Sequence, residues 1–471
     1  MKLSPLVIGA LAATACLLVA CVRPPREDVE ATRIESSALG LTGPEAPRPG
    51  ESWWKAFNDP QLDRLVDDAL AHNPRLDEAL ARIRASSAQS LATSAALIPG
   101  VSLDLDETYQ RFSENYYIPP PYGGNRYWAG TAGLNLGWAL DFWGRQRDLV
   151  RQAGRLADAE RLERWSARLA ISGSLAQAYL DLYRAYALGD VAQRTLNQRE
   201  HLLDLAKQRF DAGIDTPVEL KIATARLADA RDAIEQTVSL RELAIHRLAA
   251  LSAHGADYYT QIGRPQLALD SALPIPEALP MDLLARRPDV LAARSRIDAA
   301  DAARAASKAA FYPDLSLRAF VGTQAIGLNS LVQGGSIIYG AGPVLHLPVF
   351  DARRLRAAYR SSTAQLDSAI ASYNDVVLNA VRQTADQLTV IQTSAREQSL
   401  LHERLDAARA AYDFAQQRYG AGISTQLTVL NAESEVLSAE RDLISLEANR
   451  AIARVTLLLT LGGSFDPGVS Q

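Results

Sequence analysis

Cysteine is almost absent from this 471-residue sequence, and both cysteines, Cys16 and Cys21, stand near the N-terminus. The rest of the chain therefore has no residue for a disulfide bond or a thiolate metal site. An excess of positive charge is also missing, because 49 Lys and Arg residues stand against 54 Asp and Glu residues. This balance excludes the basic surface of a nucleic-acid-binding protein and gives no sign of an acidic substrate.

Long apolar runs are absent beyond the N-terminus, which predicts a mature chain without transmembrane helices. Catalytic motifs are missing as well. The six histidines form no ligand-spaced pair, and there is no nucleophile elbow, phosphate loop or dinucleotide fingerprint. We therefore predict no enzyme activity, no catalytic residue, no metal site and no cofactor. The composition, 48% hydrophobic and 22% charged, is that of a folded protein.

The N-terminus has the layout of a signal peptide over residues 1–20, with Lys2 followed by an apolar region. It ends in Leu18-Val19-Ala20-Cys21, which resembles a bacterial lipobox, so Cys21 is the predicted lipidation site and mature N-terminus. A conventional cleavage site close to Cys21 is the alternative. Residues 21–60 are predicted to be an N-terminal tether, because the segment up to about residue 50 is rich in Pro, Arg and Glu.

The sequence beyond residue 60 contains two copies of one unit. Residues 73–103 align with 287–317 at an offset of 214, and residues 208–216 (QRFDAGIDT) align with 417–425 (QRYGAGIST) at an offset of 209. We interpret this as a tandem duplication. The first repeat covers 61–270, the second covers 271–463, and a C-terminal tail covers 464–471.

Each repeat has the same predicted order of helix, two strands, long helix, hairpin tip and helix. The first helices are predicted at about 61–97 and 277–311. Strand pairs are predicted at about 101–111 and 128–141, and at about 315–325 and 336–349. The long helices, about 144–210 and 351–418, would each reach roughly 100 Å and carry the heptad spacing of coiled coils. The hairpin tips are predicted at about 211–217 and 420–426.

The strands have the length and alternation of transmembrane β-strands. Along the first strand apolar residues alternate with polar ones, namely Val101, Leu103 and Leu105 with Ser102, Asp104 and Asp106. A half-buried sheet of a soluble protein alternates in the same way and is the alternative. Four strands cannot close a barrel in lipid, so the membrane interpretation requires an oligomer. Two, three or four chains would give 8, 12 or 16 strands.

The hairpin tips have a recognisable turn chemistry. Gly213 and Gly422 can adopt the left-handed conformation that ends a helix. Thr216, with Pro217 and Glu219, predicts a capping box, and Thr425 is the predicted cap of the matching helix. Tips of this kind are available to a partner.

The chain as a whole resembles the outer membrane efflux protein family. The resemblance covers about residues 50–463. It rests on the tandem layout and on short segments, namely Trp53-Trp54 followed by Phe57-Asn58-Asp59-Pro60-Gln61-Leu62, the turns Asn73-Pro74 and Arg286-Arg287-Pro288-Asp289, and the paired tips Ala212-Gly213 and Ala421-Gly422. Within the family, the chain is similar to the lipoprotein outer-membrane factors of resistance-nodulation-division (RND) tripartite pumps.

The resemblance implies an α+β membrane protein in the outer membrane of a Gram-negative bacterium. It implies a homotrimer, with a 12-stranded transmembrane β-barrel continued by a long α-helical coiled-coil barrel in the periplasm. The expected partners are outer-membrane lipid, a periplasmic adaptor protein and an inner-membrane RND transporter. The adaptor would dock on the tips at Gly213, Thr216, Gly422 and Thr425. The expected function is passive exit of drugs or other small molecules.

The resemblance also implies a periplasmic gate, because the family closes this end with the helix that follows the second tip. The matching residues are Leu427, Thr428 and Asn431, and Asn431 stands where the family often has Asp. A ring of carboxylates is therefore not expected here. Two alternatives stay open, namely the duct of a type I secretion system and a lipid-anchored coiled-coil protein that conducts nothing. The transported substrates are not readable from the sequence.

Overall fold

The computed structural model describes residues 24–41, 43–45, 49–115, 117–269, 276, 278–280, 282–348 and 350–466. Cys21 and the predicted signal peptide lie outside these residues. The chain divides into two compact units, which we call unit 1 and unit 2. Unit 1 takes residues from Met1–Arg33, Arg82–Arg161 and Ala292–Asn374, and unit 2 from Ile34–Ala81, Leu162–Leu291 and Asp375–Gln471. Each unit draws on both predicted repeats, so the repeats are not separate compact domains.

Unit 1 contains an antiparallel sheet with the strand order β1-β2-β3-β4. The strands are β1 Gly100–Arg111, β2 Arg126–Leu140, β3 Asp314–Ile326 and β4 Ile337–His346. The fourth strand was predicted to reach residue 349 but ends at His346, just before Leu347-Pro348, where proline offers no amide hydrogen to a ladder. β1 and β4 are the edge strands of this four-stranded sheet.

One face of the sheet is apolar and uncovered. Val101, Leu103 and Leu105 on β1 keep 64%, 73% and 73% of their surface exposed. The register places Leu134 of β2 opposite Leu103 and Val321 of β3 opposite Leu134, which extends the apolar face across the sheet. A soluble monomer seldom exposes a contiguous apolar surface that spans several neighbouring strands.

Nine α-helices account for most of the remaining described residues. They are α1 Pro60–His72, α2 Pro74–Ser94, α3 Arg145–Asp211, α4 Pro217–Leu251, α5 Leu283–Arg286, α6 Pro288–Ala309, α7 Leu328–Leu331, α8 Ala352–Gly420 and α9 Gln426–Thr460. Short 3₁₀ segments occur at Ser36–Leu39, Trp53–Phe57, Ala95–Leu97, Ala256–Gln261 and Gly334–Ser336. Within the described parts of the chain, no helix combines the length and the apolar character needed to cross a membrane.

The first helix of each repeat is shorter than predicted, so the prediction of single helices at 61–97 and 277–311 was wrong. Asn73 and Arg287 adopt extended backbone conformations and separate α1 from α2 and α5 from α6. Each of these residues precedes a proline, whose ring disfavours the helical conformation at the residue before it. The Asn73 side chain stabilises the break, because it donates a hydrogen bond to the Leu251 carbonyl at 2.7 Å.

The N-terminal segment packs against unit 1, which corrects the prediction of an extended tether over 21–60. The Glu27 carboxylate pairs with Arg360 of α8 at 2.7 Å. Asp367 accepts hydrogen bonds from two backbone amides within residues 30–32, and Asn374 donates to a carbonyl of the same segment. Because the three α8 residues are seven apart, the segment follows one side of this helix.

The core of unit 2 includes the end of the same segment. Trp53, Trp54 and Phe57 are buried against residues of α1, α3, α4 and α9. Asp59 caps α1 at the amide of Gln61 and accepts the Tyr179 hydroxyl hydrogen at 2.8 Å. Burial and the neighbouring carboxylate raise the pKa of Tyr179 far above its ordinary value. The folded core therefore begins before residue 61.

Candidate functional site

The two hairpin turns of unit 2 are tip 1, residues 209–219, and tip 2, residues 418–428. Gly213 has φ of +70° and Gly422 has φ of +72°, the left-handed conformation that was predicted for both. The residue after each glycine forms a hydrogen bond back to the last turn of the long helix. The amide of Ile214 donates to the Arg209 carbonyl at 2.9 Å, and that of Ile423 donates to the Arg418 carbonyl at 3.0 Å. Both long helices therefore end in the same turn.

Tip 1 is stabilised by charged groups of its own. Arg209 donates two hydrogen bonds to the Asp215 carboxylate, at 2.7 and 2.8 Å. The Thr216 hydroxyl accepts from the amide of Val218 at 3.2 Å, and the Glu219 carboxylate accepts from the amide of Thr216 at 3.0 Å. The Arg209 hydrogen bonds lower the pKa of Asp215, and those from Thr216 lower the pKa of Glu219.

Tip 2 lacks these charged contacts. Thr425 caps α9 through a longer hydrogen bond, 3.4 Å from the amide of Thr428, and the two hydroxyls lie 3.1 Å apart. Ser424 occupies the position that matches Asp215, so Arg418 has no local carboxylate. Residues 418–428 contain no acidic side chain. Tip 2 thus has the same turn geometry as tip 1 but lacks its charged contacts.

The predicted gate residues lie in the first turns of α9. Leu427, Thr428 and Asn431 are all exposed. Leu430 and Leu437 are buried on the adjacent side of the same helix. The structure therefore places the three residues on one free side of α9. Leu427 supplies an apolar group there, and the other two supply neutral hydrogen-bonding groups.

The buried side of α9 is fixed by residues that the sequence analysis missed. Gln198 of α3 is 2% exposed and donates its amide hydrogens to the Leu430 carbonyl and, at 2.7 Å, to the Ser434 hydroxyl. A polar residue between the heptad positions Leu196 and Leu203 was the available signal. Its partner could not be read, because it lies more than 200 positions away.

A second set of contacts follows about two turns further along α9. Glu440 pairs with Arg194 of α3 at 2.6 Å and with Arg409 of α8 at 3.1 Å. Asp442 pairs with Arg404 of α8 at 2.7 Å. α9 is therefore joined by polar contacts to both long helices between residues 430 and 442.

Glu433 is the titratable group nearest to the gate residues on α9. It is half-buried, and burial raises its pKa. The positive charges of His201 and Arg194 partly oppose this shift. The net result is a pKa above the ordinary value of a glutamate.

The chemistry of these surfaces is that of contact and closure. Among the described residues, no group of three or more His, Cys, Asp or Glu side chains is arranged to hold a metal ion. The tips offer backbone turns, hydroxyl groups and exposed aliphatic side chains, which suit the binding of another protein chain.

Comparison with known proteins defines the class. The sequence model of the outer membrane efflux protein family matches residues 65–254 and 279–463. The multidrug resistance outer membrane protein MdtP of Escherichia coli (strain K12) is 31% identical over 436 residues, which cover 89% of this chain and 88% of MdtP. The chain belongs to the outer membrane efflux protein family.

Solved structures share the fold. The outer membrane protein VceC of Vibrio cholerae is 32% identical and superposes with a TM-score of 0.81, over 89% of this chain and 100% of VceC. The outer-membrane channel OprN is 28% identical, with a TM-score of 0.80 over 94% of this chain and 99% of OprN. The chain is thus an outer-membrane efflux channel with an α+β fold, and the proteins it is similar to are channels rather than enzymes.

Proposed function

We propose that three copies of this chain form the exit duct of a tripartite RND-type efflux pump. The observation that carries the proposal is the four-stranded sheet, whose apolar face is exposed and whose edge strands β1 and β4 have no further partner in the sheet. Unpaired strand edges are not tolerated in lipid, so neighbouring copies must pair with them. Three copies give the 12 strands that the family resemblance implies.

Native mass spectrometry of the full-length protein in mild detergent tests this proposal. We expect three copies per particle. A particle of one or two copies would contradict the 12-stranded barrel and favour the alternative of a lipid-anchored coiled-coil protein that conducts nothing. A trimer that carries no ion current in lipid bilayers, even after its gate residues are replaced by alanine, would contradict the duct itself.

The gate is proposed to be formed by Leu427, Thr428 and Asn431 from each copy. Their support is their exposed position in the first two turns of α9, at the end of tip 2 and just beyond it. In a threefold ring, Leu427 would give an apolar constriction and Asn431 a ring of amides. Such a ring can close by hydrogen bonding, but it offers no carboxylates to cations.

The periplasmic adaptor is proposed to dock on both tips, at Gly213, Thr216, Gly422 and Thr425. The aliphatic residues that follow the two glycines, Ile214 and Ile423, expose about two thirds of their surface. Exposed aliphatic groups beside a turn of fixed geometry provide a small apolar anchor for a helical partner. The inner-membrane RND transporter would supply the energy.

Cys21 is proposed to carry the lipid anchor, and the packing of the N-terminal segment supports this. Its contacts run along α8 from Arg360 to Asn374, so the chain before Glu27 is directed back toward the start of α8 at Ala352. Cys21 itself lies outside the described residues, three positions before Pro24 in the sequence. The start of α8 follows β4 in the chain, which is the strand that enters the proposed membrane sheet.

The proposed cargo consists of drugs or other small molecules, because the relative MdtP is named for multidrug resistance. A type I secretion system would use the same fold with a different pump. No residue of the tips or of the gate favours that alternative. A lipid-anchored coiled-coil protein that conducts nothing would not require the exposed apolar face of the four strands.

A further inference from the structure

The polar face of the sheet carries charges of both signs, and they are separated. Asp104 on β1 has local partners, since its Oδ2 accepts hydrogen bonds from the Ser102 hydroxyl at 2.8 Å and the Asn135 amide at 2.7 Å. Arg318 on β3 lies two strands away and four residues further along, opposite Gly137. The strand spacings put roughly 17 Å between the Cα atoms of Asp104 and Arg318. Arg318 therefore cannot pair with this acid.

Arg318 is the one Arg or Lys side chain on the polar face of the described strands. It is exposed and makes no hydrogen bond or ion pair to any described residue. A guanidinium group offers five donors in a planar fork, which match the two oxygens of a carboxylate. The unused donors of Arg318 are thus available to an anion on this face.

Glycines keep the space around Arg318 open. Gly137 of β2 and Gly342 of β4 are its register neighbours on the two sides. A side chain added to either glycine would meet nothing within 4 Å. A cavity of about 1010 Å³ opens above these residues. A small organic molecule can therefore reach the guanidinium group without displacing protein atoms.

An aromatic ring lies beside the cation. Phe320 is two residues beyond Arg318 on the same face of β3, about 7 Å along the strand. Its ring covers Gly340 of β4, where an added side-chain carbon would come within 2.8 Å of it, and 45% of Phe320 remains exposed. The absence of a side chain at Gly340 thus leaves room for the Phe320 ring, which also lines the cavity.

We propose that Arg318 and Phe320 form a contact site for organic carboxylates on the polar face of the sheet, the face that lines the duct in the proposed function. The guanidinium group binds the carboxylate in a bidentate manner, and the phenyl ring packs against an aromatic or flat apolar body. The site retains such solutes briefly during passage. In a trimer it occurs three times at one level of the barrel.

The test is ¹⁹F NMR of 4-fluorobenzoate with the purified full-length protein in detergent. The neutral isostere 4-fluorobenzamide serves as the matched ligand. We expect protein-dependent broadening of the benzoate signal, reversed by unlabelled benzoate, and little broadening of the benzamide signal. Arg318→Gln should weaken benzoate binding about tenfold, because a charge-assisted bidentate contact is lost.

Two further variants sharpen the test. Phe320→Leu should weaken benzoate binding and leave weak acetate competition unchanged, since only the aromatic contact is removed. Arg126→Gln is the matched control, because Arg126 is an exposed arginine at the end of β2 on the opposite face. Equal broadening of benzoate and benzamide, or equal binding by the wild type and Arg318→Gln, would overturn the proposal. The assay needs no current, so a failure to conduct would count against the duct and leave the site standing.

Discussion

The two hairpin tips have the same backbone and opposite means of support. Tip 1 is stabilised by contacts within the turn, namely the Arg209–Asp215 ion pair and the Thr216–Glu219 capping box. The side chains of residues 217–240 form hydrogen bonds within α4. This stretch meets its neighbours through the buried Leu227 and Ala230 and through the attraction between Asp229 and Arg199 of α3. Tip 2 has no such local pair, and the helix that follows it is joined to α3 and α8 instead.

The difference shows where each tip can respond to a partner. The contacts that stabilise tip 1 lie within the turn itself, so the turn keeps its conformation whatever the neighbouring helices do. Tip 1 can therefore act as a preformed docking element. Support from neighbouring helices ties the position of α9 to how those helices pack. A change in the packing of α3 or α8 therefore reaches Leu427 and Asn431 through Gln198 and Glu440. This arrangement suits a gate on tip 2 and a fixed anchor on tip 1.

The largest effect is expected from a carboxylate placed on the gate side of α9. Asn431→Asp should create a ring of three carboxylates in the proposed trimer and make the pore current sensitive to divalent cations, with block at least about tenfold stronger than in the wild type. Ile222→Asp is the control, because Ile222 occupies the matching exposed position on α4. Bilayer recordings with and without Mg²⁺ give the comparison. Equal block in both variants, or none in either, would show that α9 does not line the constriction.

The second effect concerns the buried amide that fixes α9. Gln198→Leu keeps the size of the side chain and removes two hydrogen bonds, at a cost of about 1–3 kcal/mol. Hydrogen exchange of the amides in residues 426–440 should accelerate about ten- to hundredfold, while exchange in tip 1 stays unchanged. Gln193→Leu is the control, since Gln193 is exposed on α3 and its side chain donates a hydrogen bond to Asn197 of the same helix. Equal acceleration at both tips would mean that the two tips do not differ in their support.

The third effect comes from transplanting the ion pair of tip 1 into tip 2. Ser424→Asp places a carboxylate six residues after Arg418, the spacing of the Arg209–Asp215 pair. Exchange at residues 419–426 should slow by about two- to fivefold, a small gain because ion pairs at a protein surface contribute little. The converse variant, Asp215→Ser, should accelerate exchange in tip 1 by a similar factor. An unaltered tip 2 would show that the turn geometry differs where the carboxylate must reach Arg418.

Local features of this protein were predictable from the sequence, and distant contacts were not. The alternation of Val101, Leu103 and Leu105 predicts β1, and each tip glycine predicts its own helix end, because both depend on neighbouring residues alone. Gln198 and Leu430 are 232 positions apart, and their contact depends on how α3 and α9 pack. No periodicity carries that information.

The errors in the prediction have physical causes as well. The helices around Asn73 and Arg287 were predicted as continuous from their apolar spacing, which ignores the constraint that proline places on the preceding residue. The tether was predicted from its Pro, Arg and Glu content. Composition does not reveal that Asp367 and Asn374 of α8 satisfy the backbone of this segment. The turns of the tips could be predicted from local rules alone, whereas the residues that contact α9 could be identified only from the three-dimensional fold.

The smallest expected effect is that hydrogen exchange in tip 1 and in the first part of α9 changes in opposite directions with pH. The carboxyl groups of Asp215 and Glu219 have pKa values below their ordinary values of 3.8 and 4.5, so their stabilisation of tip 1 is complete above pH 5 and is lost as the pH falls through these values. Glu433 of α9 has a raised pKa, so its contribution is complete below pH 4.5 and is lost as the pH rises. Between pH 6 and pH 3.5, exchange corrected for its intrinsic pH dependence should become faster in tip 1 and slower in residues 430–436, the part of α9 around Glu433 that precedes the Glu440 and Asp442 ion pairs. Asp215→Asn should flatten the first profile and Glu433→Gln the second, and parallel profiles in the wild type would contradict the assignment of these shifts to separate local groups.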